Sequence, residues 1–94
     1  MPFVIVQHRV KDFDSWKSVF DEHGANRNAH GARGYRLFRP VDDSHGVIIV
    51  NEFATLEGAR AFMSDPSLPA AMARGGVEGS PNVWLSNEVE SVSG

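Results

Sequence analysis

An α+β fold of ferredoxin-like order, β-α-β-β-α-β around a four-stranded antiparallel sheet, is what this chain predicts, on three observations. Two stretches, residues 3–10 (FVIVQHRV) and 46–53 (GVIIVNEF), are built around uninterrupted β-branched and apolar side chains. Two others carry apolar residues at helical spacing: Phe13, Trp16, Val19, Phe20 and His23, then Leu56, Ala59 and Phe62. Turn chemistry separates the elements, with DDSHG before the third strand and Gly75-Gly76 after the last helical stretch.

Each element follows in order. The first strand spans 3–10, and Asp12 or Asp14 is a good N-cap for the helix after it. That helix runs to about Ala29 or His30, with Gly24 inside its pattern and Gly31 placed to close it. Residues 34–41 (GYRLFRPV) alternate as a second strand, and 46–53 form the third. Thr55 caps a second helix, with Glu57 in its first turn; Asp65 and Pro66 mark a fresh helical start that ends at Gly75. The fourth strand is 82–89 (NVWLSNEV), and the intervening GGVEGSP (75–81) reads as a flexible connection or a pocket lid. One domain over 1–94 is expected, with an ordered core of about 2–90 and a polar tail at 91–94.

Composition narrows the function classes. A net charge of −3 with scattered Lys and Arg gives no general attraction to nucleic acid or to an anionic membrane surface. With no cysteine, disulfide frameworks, thiolate zinc sites and cysteine nucleophiles are excluded. No signal segment and no run of membrane-spanning length is present, so a cytoplasmic location is the default. Walker, GxGxxG, nucleophile-elbow and HExxH motifs are missing, and no cofactor is expected.

The strands raise a packing problem. Phe3 and Ile5 share one face of the first strand and Val4 and Val6 the other; Val47 and Ile49 oppose Ile48 and Val50 on the third. Two helices cover one face only. At about 25 cal/mol per Å² of apolar surface, a wet second face would forfeit several kcal/mol. A homodimer packed sheet to sheet resolves this.

The element order, the two-faced strands, the aromatic-rich DFDSWKSVF, the run GYRLFR and the stretch NEFATLEGARAFMSDPSLPAAM together resemble the dimeric α+β barrel superfamily. That group includes the antibiotic-biosynthesis monooxygenase-like proteins and relatives labelled cyclases. The resemblance covers nearly the whole chain and implies a barrel interior, or a cleft between sheet and helices, that holds a small, often aromatic molecule. Its members include cofactor-free oxygenases of anthrones, haem-degrading enzymes, muconolactone isomerase and stress-responsive proteins. The anthrone-oxidising branch carries an Asn and a Trp four residues apart on the third strand, where this chain has Ile49 and Phe53, with Asn51 between them on the same face. The haem-degrading branch uses a His on the second helical region, and LPAAMARGG has none.

His8 is the candidate general base, because it shares a face with Val4 and Val6 and neutral imidazole titrates near neutrality. The other reading is a core or rim histidine bonded to a backbone carbonyl or an acid. A pairing near Val6 with Val50 would put Glu52 opposite Val4, about 13 Å along the strands from His8 and too far for a direct contact. His23, Arg27 and His30 lie on one helical stripe, but histidines seven apart are two turns, about 10 Å, distant, so no metal site is expected. His23 can instead line the cleft. Tyr35, Phe53 and Trp84 are candidate stacking walls for a planar ligand or else packing residues. Gln7 and Asn51 interrupt apolar strands and, if buried, must be bonded or aimed at a ligand. Arg36 and Arg39 suit an edge strand.

These readings converge on a small cofactor-independent enzyme that oxygenates or cyclises an aromatic or polyketide-like molecule in an apolar pocket. The alternative is a non-catalytic dimeric small-molecule-binding or stress-response protein. A purely structural dimer would have no ligand-sized cavity.

Overall fold

The computed structural model describes residues 1–94. Its elements are β1 (Pro2–Val10), α1 (Phe13–Glu22), α2 (Gly24–Ala29), β2 (Ala32–Phe38), β3 (Gly46–Phe53), α3 (Leu56–Ser64), α4 (Ser67–Arg74) and β4 (Val77–Asn87). They form one antiparallel sheet of order β2-β3-β1-β4 with the helices on one face, the ferredoxin-like arrangement. The two strands that are apolar on both faces, β1 and β3, take the two central positions. None of the helices is long and apolar enough to cross a membrane.

Local chemistry explains the helical layer. Asp12 is extended and accepts the Ser15 N–H at 2.9 Å, starting α1; Thr55 accepts the Gly58 N–H at 3.0 Å, starting α3. The expected first helix is two, because the chain turns at His23 and restarts at Gly24. The second helical region is also two. Asp65 leaves the helical conformation, and its carboxylate accepts the Ser67 N–H at 2.8 Å to begin α4 after Pro66.

Three boundaries differ from expectation. β2 begins at Ala32 rather than 34 and ends before Pro40, with an irregularity between Ala32 and Gly34. Residues 77–81 are not a flexible connection or a lid: they extend β4 and pair with the end of β1 across a bulge, where Gly79 adopts a φ of 69°. The β1–β3 register is one residue from the expected pairing, Val6 facing Ile49 and Phe3 facing Glu52. Glu52 therefore lies on the sheet face opposite His8, which separates the two by the sheet itself and not only by length along it.

Alternation sets the layers. Val4, Val6, His8 and Val10 of β1, with Val47, Ile49, Asn51 and Phe53 of β3, point at the helices and are buried. Trp16, Phe20, Ala59 and Phe62 complete the core from the helical side. The open face carries Phe3, Ile5, Ile48 and Val50, all half-buried, flanked by Phe38 and Trp84 at 46% and 50% exposure.

A single close approach locks α3 against the end of α2. A Cβ on Gly58 would lie 2.2 Å from the His30 carbonyl oxygen and 3.2 Å from the capping Thr55 hydroxyl. Gly58→Ala is therefore expected to destabilise the fold by about 2 kcal/mol, even though alanine is the better helix former. Urea unfolding measures this, and an unchanged or raised midpoint would contradict the packing.

Candidate functional site

A cavity of about 40 Å³ lies between the sheet and the helices. Its floor is Val6, His8, Ile49 and Asn51; Trp16, Val19 and Phe20 of α1 and Phe62 of α3 form one side. Leu68, Ala71 and Met72 of α4 close the other, and His23 and Arg27 stand at the α1–α2 junction. A water needs about 10–15 Å³ and an engineered void of about 150 Å³ admits benzene, so the cavity at rest is sized for water. A fused ring exceeds this volume, and Met72 is the most adaptable of the side chains lining the cavity.

Sequence explains the aromatic wall. Trp16 and Phe20 are four apart on α1 and stack with centroids 5.0 Å apart, and His8 meets the Trp16 ring edge-on at 5.5 Å. Gly75 lets α4 approach this wall, since a Cβ there would stand 3.0 Å from Trp16 Cδ1.

His8 is 6% exposed, and its Nδ1 is fully buried with no hydrogen-bond partner in another residue. Burial lowers its pKa from 6.5, its own backbone carbonyl opposing only in part, so the imidazole is neutral at neutral pH. Asn51 donates from Nδ2 to the Val4 carbonyl at 3.2 Å, which leaves its buried Oδ1 unpaired. Two buried polar atoms without partners, on residues lining a mainly apolar cavity, are a departure from ordinary core construction.

His23 lines the cavity and is tied by Nε2 to the Ser67 hydroxyl at 2.9 Å, clamping α1 to α4; burial and then the charge of Arg27 lower its pKa. His30 does not share its partner. It binds Asp65 at 2.9 Å, alongside Asn26 at 2.9 Å, and these bonds hold the Asp65 carboxyl well below the usual carboxylate range. No group of three or more His, Asp or Glu side chains converges into a ligand set.

The remaining candidates lie elsewhere. Phe53 is fully buried in the core against Phe62, their centroids 5.3 Å apart, and does not line the cavity. Tyr35 sits on the helix-facing side at the rim, opposite Asn51 and edge-on to Phe20 at 4.9 Å. Trp84 and Gln7 belong to the open face, where Trp84 is opposite Ile5 and Gln7 accepts the Asn82 amide N–H at 3.0 Å. The structure thus brings His8, His23 and Asn51 together and leaves Gln7, Tyr35, Phe53 and Trp84 outside the cavity. It adds Arg27, which sequence reasoning weighed only as a neighbour of possible metal ligands. The available signal was its position four residues after His23, continuing the Trp16–Phe20–His23 stripe toward the sheet.

No protein-family model and no curated protein sequence matches this chain. Solved structures do. SnoaB, a cofactor-independent oxygenase from Streptomyces nogalater, superposes with a TM-score of 0.77 at 18% identity, over 97% of this chain and 95% of that one. A candidate antibiotic biosynthesis monooxygenase from Caulobacter crescentus gives 0.74 at 19% identity, over 95% and 90% of the two chains. One from Bordetella bronchiseptica gives 0.75 at 14% identity, over 95% and 97%. At such identities the likeness is one of architecture: this chain shares the ferredoxin-like fold of these structures.

Proposed function

We propose that this protein is a small cofactor-independent enzyme that oxygenates or cyclises an aromatic, polyketide-like molecule in the cavity between sheet and helices. The observation that carries this reading is the buried, unpartnered Nδ1 of His8, a residue that lines a mainly apolar cavity. The oxygenase among the similarly folded structures supports the reaction class. His8 would take a proton from an activated CH₂ or a phenol, leaving a carbanion delocalised into the rings. With oxygen, the CH₂ becomes C=O: one oxygen atom enters the carbon, and the other leaves with the two hydrogens as water. In a cyclisation the carbanion instead adds to an internal carbonyl, and the imidazolium returns its proton to the new alkoxide. The neutral state of His8 and the dry walls around it favour both steps.

Incubation with anthrone under air tests this. Oxygen uptake matched by quinone formation is the expected result. Retention of the ring system without turnover would leave the non-catalytic binding protein, and no association would remove both.

The same proposal takes the active form to be a homodimer closed over the open sheet face. That face carries Phe3, Ile5, Ile48 and Val50, half-buried in the single chain, beside the exposed Phe38 and Trp84, an apolar patch that a partner would cover. Light scattering on the wild-type chain should give the dimer mass, and Ile5→Lys should give the monomer. A wild-type monomer at micromolar concentration would refute it.

A further inference from the structure

Arg27 is the only permanently charged side chain among the buried residues, at 5% exposure. It takes part in none of the ion pairs. Of five guanidinium donors it uses one, Nη1 to the Phe20 carbonyl at 2.9 Å. The guanidinium plane lies 3.7 Å from the Phe20 ring centroid and 5.5 Å from that of Tyr35. Its Nη2 lies 3.3 Å from where a Cβ on Gly24 would stand, a tight approach. Asp21 faces it from an outer groove but is engaged by Lys17 at 2.6 Å.

Capping the end of α1 needs one N–H and would be served by a lysine. A guanidinium taken this far out of water without a counter-ion carries a desolvation cost that stacking on two rings only partly offsets. Arg27 lines both the cavity and the outer groove, and in the cavity it is joined by Asn51, whose neighbour across the strands is Tyr35. His8 stands four residues along the sheet from Val4, the partner of Asn51.

We infer that Arg27 anchors an anionic oxygen, carboxylate or phenolate, on the molecule the cavity admits. Asn51 Oδ1 accepts a neighbouring hydroxyl, and the acidic C–H or O–H is thereby directed toward His8. The inference rests on the helix–sheet cavity being the ligand site, and it specifies the substrate class: planar aromatics with an acidic oxygen, not neutral hydrocarbons.

Calorimetric titration with naphthoate and its uncharged isostere naphthamide tests it, together with the Arg27 Nε–H resonance. Wild-type protein should prefer naphthoate by about tenfold to a hundredfold, the size of a charge-assisted hydrogen bond. The Arg27 signal should shift with naphthoate only, and Arg27→Met should bind both alike. The wild-type preference and resonance decide the matter even if the variant fails to fold. Equal binding of both probes with shifts at His8 and Trp16 would overturn the role of Arg27 and leave the cavity as the site. Binding of neither, or shifts confined to Phe3 and Ile5 on the open face, would overturn both.

Discussion

Under the proposed function, replacing His8 with alanine or glutamine is expected to lower turnover by about a hundredfold or more, the usual contribution of a positioned general base, with the fold and the oligomeric state unchanged. The fold persists because His8 gives no hydrogen bond to any other residue, so its removal orphans nothing. Glutamine preserves most of the volume packed against Trp16. The pH dependence has a definite sign. Burial depresses the folded-state pKa below 6.5, so His8 stays in its basic form below the pH at which an ordinary histidine has protonated. The acid limb of the rate must therefore fall below pH 6.5. Stability follows the same linkage: the contribution of neutral His8 is complete above the unfolded value and is lost as pH falls through 6.5 toward the folded pKa, because the unfolded chain protonates first. His23 is shifted in the same direction, so the comparison of wild type with His8→Gln isolates the His8 share. Unchanged turnover in the variant, or an acid limb above 6.5, would remove His8 from the reaction.

Phe53→Ala is the largest expected loss of stability, about 3–5 kcal/mol from lost transfer energy and an unfilled void. The ring is fully buried, opposite Ala32 on the neighbouring strand and tilted against Phe62 on α3, so strand and helix both lose their contact. A chain of this size holds about 5–14 kcal/mol in total, and the melting temperature should drop by about 15–30 °C. Because Phe53 lies outside the cavity, Phe53→Leu should recover most of the stability and leave probe binding intact. A small thermal effect for Phe53→Ala combined with lost ligand binding would instead place the ring at the site.

The third strand presents Ile49, Asn51 and Phe53 to the helices, but only Ile49 and Asn51 reach the cavity, so any polar assistance from this strand must come from Asn51. Its Oδ1 is free to accept, while its Nδ2 is committed to Val4.

Residue pattern by itself determined the element order, the adjacent places of β1 and β3, Thr55 as one cap and Asp12 or Asp14 as the other, because periodicity and capping are properties of short stretches; the sheet face that His8 and Asn51 share was decided by register. The register of β3 was not legible for a related reason. Val47 to Val50 are all apolar, so either register buries apolar side chains, and the run that announces the strand conceals its alignment. The start of β4 was hidden in the same way, since EGSP reads as a loop until a bulge and the positive φ of Gly79 pair it with β1. Which aromatics make the core and which lie open, Phe53 against Trp84, depends on elements distant in sequence. So does the state of Arg27, a surface-type residue on a helical stripe until the chain restarts at Gly24 after His23 and its guanidinium is buried against the Phe20 ring. Only tertiary structure could bury that charge without a counter-ion and leave the His8 nitrogen unpaired, because both conditions arise from groups that fail to meet in three dimensions, and a linear pattern carries no record of them.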